Sequence, residues 1–187
     1  MTRIVAGALG GRRLAVPAGD RTRPTSDRVR EALFSTLESL VDLAGARVAD
    51  LYAGSGAVGL EALSRGASSA LLVEADPKVA RILRDNVRAL GAETAAQVLT
   101  GKVAQVLTAG NPQPPYDVVF ADPPYAVPDE DVTAMLAALV GGDWLAPEAV
   151  VAVERPSRGA PVEWVAGLTA ERSRRYGETT LWYGRRS

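Results

Sequence analysis

The sequence of 187 residues contains no cysteine and no histidine. A chain without these side chains has no thiol nucleophile, no Ser-His-Asp triad, no histidine general base and no Cys/His zinc site. Among enzymes that methylate nucleic-acid bases, those that attack a ring carbon through a cysteine adduct are excluded for the same reason. Within that class, direct transfer to nitrogen or oxygen is what remains.

Long apolar stretches are also missing. The composition is 47% hydrophobic, yet no run approaches the roughly 18 apolar residues of a membrane span. The N-terminal segment 1–7 lacks the apolar core and the cleavage site of a signal peptide. We therefore expect a cytoplasmic protein with no membrane partner and no bound metal. The length suits one catalytic domain with a small appendage, and no exposed apolar stripe is evident, so a monomer is expected.

Charge is distributed unevenly along the chain, although the formal net charge is only −1. Residues 1–30 carry seven arginines against two aspartates, and residues 151–187 carry seven arginines against four glutamates. The basic ends thus enclose an acidic middle. An arginine-rich N-terminal region suits a polyanionic partner, because guanidinium pairs with phosphate in a bidentate manner. A solvated arginine-rich surface is the alternative.

Beyond residue 45 the pattern alternates between short β-rich runs and amphipathic helical stretches. The expected strands are 47–52, 70–74, 95–100, 116–121 and 149–154, and the expected helices are 58–64, 77–90 and 130–140. Alternation of this kind predicts a doubly wound, mostly parallel α/β sheet. Two further strands, 162–165 and 179–183, are expected around an arginine-rich turn as an antiparallel hairpin at a sheet edge.

The N-terminal part precedes this alternation. Apolar residues at 4–5 and 14–16 flank a glycine-rich stretch and predict a short β-hairpin, followed by a polar loop over 17–24. Apolar residues at three- and four-residue spacing then predict a helix from Ser26 or Asp27 to about Asp42. We therefore expect a basic hairpin and loop at 1–25, and one catalytic domain at 26–187 that begins with this helix.

A glycine-rich segment of the form G-x-G-x-x-G lies between the strand at 47–52 and the helix that follows. Its residues Ala53, Gly54 and Gly56 predict a tight turn that lets a nucleoside cofactor approach the backbone. Glu74 ends the next strand, where a carboxylate can accept hydrogen bonds from ribose hydroxyls. NAD and S-adenosylmethionine both suit this geometry. Asp50 favours the second, because a carboxylate attracts the methionine ammonium and repels a pyrophosphate.

The strand at 116–121 delivers Asp122-Pro123-Pro124-Tyr125 to its C-terminal end, beside the first strand of the sheet. An exocyclic amine on a base is a poor nucleophile, because its lone pair is delocalised into the ring. Asp122 can accept one amino N–H and the Pro123 carbonyl the other, which turns the lone pair toward a sulfonium methyl. Tyr125 offers a face on which an extruded base can stack. Asp122 is also expected to line the cofactor site.

With these motifs in place, the chain resembles the RsmD family of bacterial 16S ribosomal RNA guanine-2-amino methyltransferases over nearly its whole length. The matching segments are Arg3-Ile4-Val5-Ala6-Gly7, Gly10-Gly11-Arg12-Arg13-Leu14, Arg23-Pro24-Thr25, Asp27-Arg28-Val29-Arg30-Glu31, Ala53-Gly54-Ser55-Gly56, Gly59-Leu60-Glu61-Ala62-Leu63-Ser64-Arg65-Gly66 and Asp122-Pro123-Pro124-Tyr125. Many amino methyltransferases share the glycine and Asp-Pro-Pro-Tyr motifs, whereas the N-terminal segments are far more specific.

The resemblance implies a Rossmann-like class I methyltransferase with a seven-stranded sheet and an N-terminal hairpin. The implied reaction transfers a methyl group from S-adenosylmethionine to the 2-amino group of a guanine in 16S ribosomal RNA. The implied partner is the small ribosomal subunit or its assembly intermediate. The hairpin and the arginines from position 21 to 30 would bind RNA phosphates. The site residues expected for this contact are Arg3, Arg12, Arg13, Arg21 and Arg23.

Two positions near the cofactor site allow more than one interpretation. Asp76 can serve as a second ribose contact, but because it precedes Pro77 it suits a helix N-cap equally well. Family members often carry an Asp or Asn after the third strand to bind the adenine amino group. This chain has Gly101 and Lys102 there, whose side chains cannot accept that bond.

Three other functions compete with this interpretation. An amino methyltransferase acting on adenine in DNA, or on another RNA, can share Asp-Pro-Pro-Tyr, although the DNA enzymes normally need an extra target-recognition region. A non-catalytic RNA-binding module would keep the arginine-rich segment but would need neither Glu74 nor Asp122. A dehydrogenase would need a loop that tolerates pyrophosphate and a partner for hydride transfer, and nothing in the sequence resembles these.

Overall fold

The strands of the protein form from its short β-rich runs and the helices from its amphipathic stretches. A computed structural model describes residues 2–19 and 25–187. The elements in chain order are β1 (Thr2–Arg3), β2 (Arg13–Leu14), α1 (Asp27–Leu40), β3 (Arg47–Leu51), α2 (Ala57–Ser64), β4 (Ser69–Glu74), α3 (Pro77–Ala89), β5 (Ala96–Thr100), α4 (Val103–Thr108), β6 (Tyr116–Ala121), α5 (Asp129–Gly141), β7 (Leu145–Pro156), β8 (Leu168–Tyr176) and β9 (Thr179–Arg186).

Seven strands form one sheet in the order β5-β4-β3-β6-β7-β9-β8, and β1 pairs with β2 in a separate antiparallel ribbon. Five neighbouring strands run parallel, namely β5, β4, β3, β6 and β7, whereas β9 is antiparallel to both β7 and β8. The predicted fold class, a mostly parallel α/β sheet with an antiparallel edge hairpin, is confirmed. The chain order reverses between β3 and β6, and ligands of open α/β sheets bind in the crevice at such a switch point.

Both faces of the sheet are covered by helices. The helices α4 and α5 pack their apolar residues on one face, beneath strands β3, β6 and β7. The opposite face is covered by α1 over β6, β7 and β9, and by α2 and α3 over β4 and β5. Central parallel strands buried on both faces explain the nearly continuous apolar run of β6. Within the described residues no helix is long and apolar enough to cross a membrane.

The predicted elements are largely confirmed, with shifted ends. The N-terminal hairpin forms, although its strands have only two residues each. The leading helix begins at its predicted cap, where the Ser26 side chain accepts a hydrogen bond from the Val29 amide at 3.2 Å. The Asp76 side chain caps α3 by accepting from the Lys78 amide at 2.9 Å. The strand predicted at 116–121 has the observed bounds of β6.

Two expectations about elements were wrong or incomplete. Residues 162–165 do not form a strand, and the first strand of the edge hairpin is the arginine-rich β8, which was expected to be a turn. Trp164 instead lies against the backbone of Gly184 on β9, where a Cβ atom would come within 2.5 Å of the indole ring. The short helix α4 was not predicted.

A buried ion pair holds the N-terminal hairpin to the sheet domain. Arg30 on α1 and Glu61 on α2 are both fully buried and lie 3.3 Å apart. The Glu61 carboxylate also accepts hydrogen bonds from the amides of Val5 and Ala6, at 2.8 and 3.0 Å. The Arg30 guanidinium donates in turn to the carbonyl of Arg3. The pair therefore joins three segments of the chain and satisfies polar backbone groups of the hairpin.

Removing one partner of this pair is expected to destabilise the whole protein. The substitution Glu61→Ala leaves the Arg30 charge buried without its counter-ion and two hairpin amides without an acceptor. The free energy of unfolding should fall by about 3–5 kcal/mol, the range for breaking a buried pair. Glu38→Ala is the matched control, because it breaks the more exposed pair of Glu38 with Arg65 and should change stability by less than about 1 kcal/mol. Urea unfolding of both variants tests this, and equal losses would contradict it.

Candidate active site

The glycine-rich loop joins β3 to α2 at the switch point of the sheet. Gly54 and Gly56 have φ values of 57° and 88°, which glycine adopts without strain. A Cβ atom on Gly56 would come within 2.5 Å of Leu83, so this glycine allows close packing of the loop. A Cβ atom on Gly54 would meet nothing within 4 Å. The loop is therefore open on the Gly54 side, where a ligand can approach its backbone.

Glu74 lies at the C-terminal end of β4, beside this loop. Its Oε1 accepts a hydrogen bond from the Gly54 amide at 3.0 Å, and its Oε2 accepts from the Asp76 amide at 2.9 Å. The side chain is half-buried, and each carboxylate oxygen has a second lone pair available. Glu74 can thus hold the loop and still accept a hydrogen bond from a ligand hydroxyl.

Asp50 lies beneath the loop rather than at its surface. Only 1% of its surface is exposed, and its Oδ2 accepts a hydrogen bond from the Gly59 amide in the first turn of α2 at 2.9 Å. Burial raises the pKa of Asp50 to about 7, the Gly59 hydrogen bond opposes the rise, and the charge of Glu74 adds to it. A cation bound near the loop would favour the ionised form. That Asp50 attracts the ammonium group of the cofactor remains a prediction.

The segment Asp122-Pro123-Pro124-Tyr125 follows β6, next to the end of β3. Pro123 is buried and Pro124 is exposed. Tyr125 has 56% of its surface exposed and is the one large apolar side chain that is exposed among the described residues. An aromatic face presented in this way beside a carboxylate is suited to stacking on a base.

Asp122 is half-buried and lies with the buried acids Asp50 and Glu154 at the C-terminal edge of the sheet. Burial raises its pKa well above the ordinary range, and the charges of Glu154 and Asp50 add to this, while Thr25 and Arg155 oppose it. The pKa of Glu154 is also raised by burial, and hydrogen bonds from threonine hydroxyls oppose that rise. Within the described residues no group of three or more such side chains is placed to hold a metal ion.

Arg155 ties the Asp-Pro-Pro-Tyr segment to the end of β7. Its Nη2 donates to the Val127 carbonyl at 2.9 Å and to Asp129 Oδ1 at 3.1 Å. The amide of Val127 donates to the Pro124 carbonyl at 2.9 Å, which closes the turn after the motif. This arrangement limits the freedom of the segment that presents Tyr125.

The arginines predicted to contact RNA have different environments. Arg13 is exposed on β2, Arg3 is exposed and its Nε lies 3.1 Å from Asp27, and the exposed Arg12 donates to the Ala89 carbonyl at 2.7 Å. Arg21 and Arg23 lie outside the described residues. The expectation that the arginines up to position 30 grip phosphates was wrong for Arg30, because this side chain is fully buried in its ion pairs.

Several site residues were missed by the sequence analysis. Glu154 and Arg155 lie at the end of β7. The predicted strand 149–154 ended on that glutamate, so its position at the edge where the parallel strands end could have identified it as a site residue. Tyr52, directly after β3, has a φ of 65°, an uncommon conformation that is found at functional sites. Thr25 and Asn86 carry no sequence signal for their contacts, which join distant segments.

Asn86 on α3 connects the hairpin to the glycine-rich loop. Its Oδ1 accepts from the Ala15 amide, and its Nδ2 donates to the carbonyls of Ala15 and Ser55, all at 2.9 Å. The side chain is buried, so its hydrogen bonds are made in a site that excludes water. The chain after β2 is thus held beside the candidate cofactor loop.

Comparison with known proteins places this geometry among methyltransferases. The family model described as "Conserved hypothetical protein 95" matches residues 2–185. Ribosomal RNA small subunit methyltransferase D of Escherichia coli K12 is 38% identical over 180 residues, covering 91% of this chain and 87% of that protein. The protein of the same name from Haemophilus influenzae is 37% identical over 153 residues, covering 81% of this chain and 77% of that protein.

Solved structures agree with this result. The candidate methyltransferase yhhF of Escherichia coli superposes with a TM-score of 0.83 at 35% identity and covers 98% of this chain and 97% of that chain. An RNA methyltransferase of Salinibacter ruber, solved in complex with S-adenosyl-L-homocysteine, has a TM-score of 0.64 at 16% identity and covers 87% of this chain and 93% of that chain. The second likeness shows the fold alone.

The raised pKa of Asp50 predicts a pH-dependent effect of Asp50→Asn on stability. In the unfolded chain the carboxyl ionises near its ordinary value of 3.8, whereas in the folded protein it ionises near 7. The folded state therefore retains a proton that the unfolded state has given up, and wild-type stability falls relative to the variant as pH rises from about 4 to about 7. Above that range the variant should be more stable by on the order of 2–4 kcal/mol.

Urea unfolding at several pH values measures this difference. Asp143→Asn is the control, because Asp143 is exposed and its positive φ of 58° is tolerated by asparagine. A difference between wild type and Asp50→Asn that stays the same from pH 4 to pH 8 would rule out the buried, proton-retaining carboxyl.

Proposed function

This chain belongs to the RsmD family, and we propose that it transfers a methyl group from S-adenosylmethionine to the exocyclic 2-amino group of a guanine in 16S ribosomal RNA. The broader activity, S-adenosylmethionine-dependent methylation of small-subunit ribosomal RNA, follows from its family. The choice of guanine and of its 2-amino group is the finer part of the proposal. We further propose that the N-terminal hairpin and loop, residues 1–25, form the RNA-binding extension and that 26–187 form the catalytic domain.

The observation that carries the proposal is that Asp122 and the exposed Tyr125 lie in one short segment at the switch point, where the glycine-rich loop also begins. The parallel pairing of β3 with β6 sets Leu51 opposite Ala121, so the loop after β3 and the motif after β6 start at the same level. A nucleoside cofactor on the loop and a base on Tyr125 would therefore share one crevice. This is the arrangement that a direct transfer between them requires.

The residues present fit S-adenosylmethionine. The open side of Gly54 gives access to the loop backbone, and Glu74 retains acceptor capacity for ribose hydroxyls. Asp50 lies beneath the loop, and a nearby ammonium group would favour its ionised form by lowering its raised pKa. When bound, the cofactor supplies a methyl group on a positively charged sulfonium. Positive charge in this crevice would lower the pKa of the neighbouring acids and so favour their ionised forms.

Asp122 and the Pro123 carbonyl activate the amino group by accepting its hydrogen bonds. Accepting both N–H groups draws the nitrogen lone pair out of conjugation with the ring and directs it toward the methyl donor. As the N–C bond forms, the bond between the methyl carbon and the sulfonium sulfur would break, positive charge develops on this nitrogen, and the ionised Asp122 stabilises it. The nitrogen then loses a proton to water, so no histidine base is needed.

The acceptor-rich edge of the site supports guanine over adenine. The edge of guanine that carries the 2-amino group also carries the N1–H donor, whereas the corresponding edge of adenine places an N1 acceptor beside its amino group. The acceptors that would meet a base at this edge are the Asp122 carboxylate and the Pro123 carbonyl, since Asp50 lies beneath the loop and both oxygens of Glu154 receive threonine hydroxyls. An ionised carboxylate and a carbonyl are acceptors only, so two adjacent donors suit this edge better than a donor beside an acceptor.

Methyl transfer to small subunits that lack the modification tests the proposal. Incubation with S-adenosylmethionine should place one methyl group per particle, on the 2-amino group of a guanine in 16S RNA, as mapped by digestion and mass spectrometry. Asp122→Ala should lose activity by at least about a hundredfold while cofactor binding by calorimetry stays nearly unchanged. Label on adenine of naked DNA, or full activity of Asp122→Ala, would refute the proposal.

The exposed hairpin arginine Arg13 should contribute to RNA affinity by binding a phosphate. For each phosphate that the protein no longer neutralises, the slope of log affinity against log salt concentration falls by about 0.7–0.9. Arg13→Gln should therefore weaken RNA binding and flatten this slope by that amount. Arg88→Gln on α3 is the control, because Arg88 is exposed and paired with Asp85. Filter binding at a series of salt concentrations measures both, and an unchanged slope for Arg13→Gln would show that Arg13 does not bind a phosphate.

A further inference from the structure

Thr25, Glu154 and Asp122 converge at the C-terminal edge of the sheet, although they are distant in sequence. The Thr25 hydroxyl donates to Glu154 Oε2 at 3.1 Å, and Thr179 donates to Oε1 of the same carboxylate at 3.0 Å. The parallel register of β6 with β7 places Asp122 next to Glu154. The same hydroxyl lies within hydrogen-bonding reach of Asp122. Its single proton is therefore shared between the two acids.

We propose that Thr25 and Glu154 are positioning residues for Asp122, which hold its carboxyl group in the orientation that accepts the amino group of the base. The inference rests on the proposed function, because that function assigns Asp122 as the acceptor. Glu154 is only 7% exposed, and both of its oxygens already receive a threonine hydroxyl. It therefore acts on the reaction through Asp122 and Thr25 rather than by contact with the base.

Thr25 also connects the reaction centre to the N-terminal segment. Its backbone carbonyl accepts a hydrogen bond from Arg30 Nη1 at 3.3 Å, and Arg30 is held by Glu61 beneath the hairpin. The same residue therefore has its backbone in the network that anchors the hairpin and its side chain in the acid group. Correct placement of the proposed RNA-binding segment thus positions the hydroxyl that orients Asp122.

The two positioning residues act on the charge of Asp122 in opposite directions. A hydrogen bond from Thr25 favours the ionised carboxylate and lowers the pKa of Asp122, whereas the negative charge of Glu154 raises it. The other charged or titratable groups that face this pair are Asp50 on β3, Arg155 on β7 and Tyr183 on β9. These groups are unchanged when Thr25 or Glu154 is replaced, so the direction of each effect can be assigned.

The test compares Thr25→Val, Thr25→Ser and Glu154→Gln in the full-length protein. Thr25→Val keeps the shape and removes the hydroxyl, so kcat should fall on the order of ten- to a hundredfold, as for a misplaced catalytic group. The KM values for RNA and for S-adenosylmethionine should stay within about twofold, because substrate binding is not affected. Thr25→Ser restores the hydroxyl and should recover most of kcat. Thr169→Val, at the exposed sheet edge, controls for the removal of a threonine hydroxyl.

The pH dependence of kcat separates positioning from a general structural effect. The acid limb of the profile should move to higher pH in Thr25→Val and to lower pH in Glu154→Gln, because the first loses a stabilising donor and the second a repelling charge. Shifts in the same direction, or a Thr25→Ser variant as impaired as Thr25→Val, would overturn the proposal. So would an unchanged profile in both variants.

A second measurement does not depend on the substrate. The carboxyl carbon of Asp122, labelled with carbon-13 and assigned by its disappearance in Asp122→Asn, can be titrated by NMR in the free protein. Its midpoint should rise in Thr25→Val and fall in Glu154→Gln. If the protein does not methylate guanine, only the transfer assay fails and the titration still decides whether the two residues control Asp122. Identical midpoints in all variants would refute that control.

Discussion

The buried pair of Arg30 and Glu61 is the interaction on which the arrangement of this molecule depends. Two charges removed from water are stable only when their remaining polar atoms are also satisfied. Here Arg30 bonds to the carbonyls of Arg3 and Thr25, and Glu61 receives two hairpin amides and Arg65. Neither charge can be satisfied unless the hairpin, α1 and α2 are all in place. The pair thereby makes the position of the N-terminal segment a condition of stable folding.

The short helix α2 carries this constraint to the candidate cofactor site. It begins at the glycine-rich loop and ends at Ser64, whose hydroxyl accepts from the Leu9 amide at 2.9 Å and donates to the Ala6 carbonyl at 2.6 Å. Seven of its eight residues are buried, so it cannot shift without repacking the core. Asp50 holds its first turn through Gly59. A single buried helix therefore relates the hairpin to the loop, and Asn86 provides a second link between them.

The parts of the fold that could be predicted are those in which pattern and burial coincide. Strand β6 was predicted with its observed bounds, because both of its faces are buried and its apolar run is continuous. Strand β8 was missed because eight of its nine residues are exposed or half-buried, so it shows no apolar alternation. Residues 162–165 have the alternation of a strand, but Trp164 packs on β9 and the segment forms no strand pairing. The spacing of apolar residues indicates which positions are buried. It indicates hydrogen-bonded strand pairing only indirectly.

The residues of the candidate site also fall into those that a sequence pattern predicts and those that it does not. The residues that sequence motifs indicate, such as Asp122 and Gly54, lie where strands of the predicted sheet end. The contact of Thr25 with Glu154 spans 129 positions in sequence, and no local pattern encodes a partner at that distance. Glu154 differs from Thr25 in one respect, since it ends a strand that was predicted. Residues at the ends of neighbouring parallel strands must share one edge, so the topology alone would have brought this glutamate to Asp122.

The distribution of charge along the chain follows from the same architecture. The acidic middle of the sequence supplies the buried carboxylates of Asp50 on β3 and Glu61 on α2, and β7 adds Glu154. These acids face inward, where they bind backbone amides, hydroxyl groups and Arg30. The hairpin arginines, among them Arg13, are exposed. A polyanion that approaches the hairpin therefore meets positive charge at the surface. In the proposed reaction, the negative charge that stabilises a developing cation on nitrogen lies inside the crevice, where low polarity strengthens its effect.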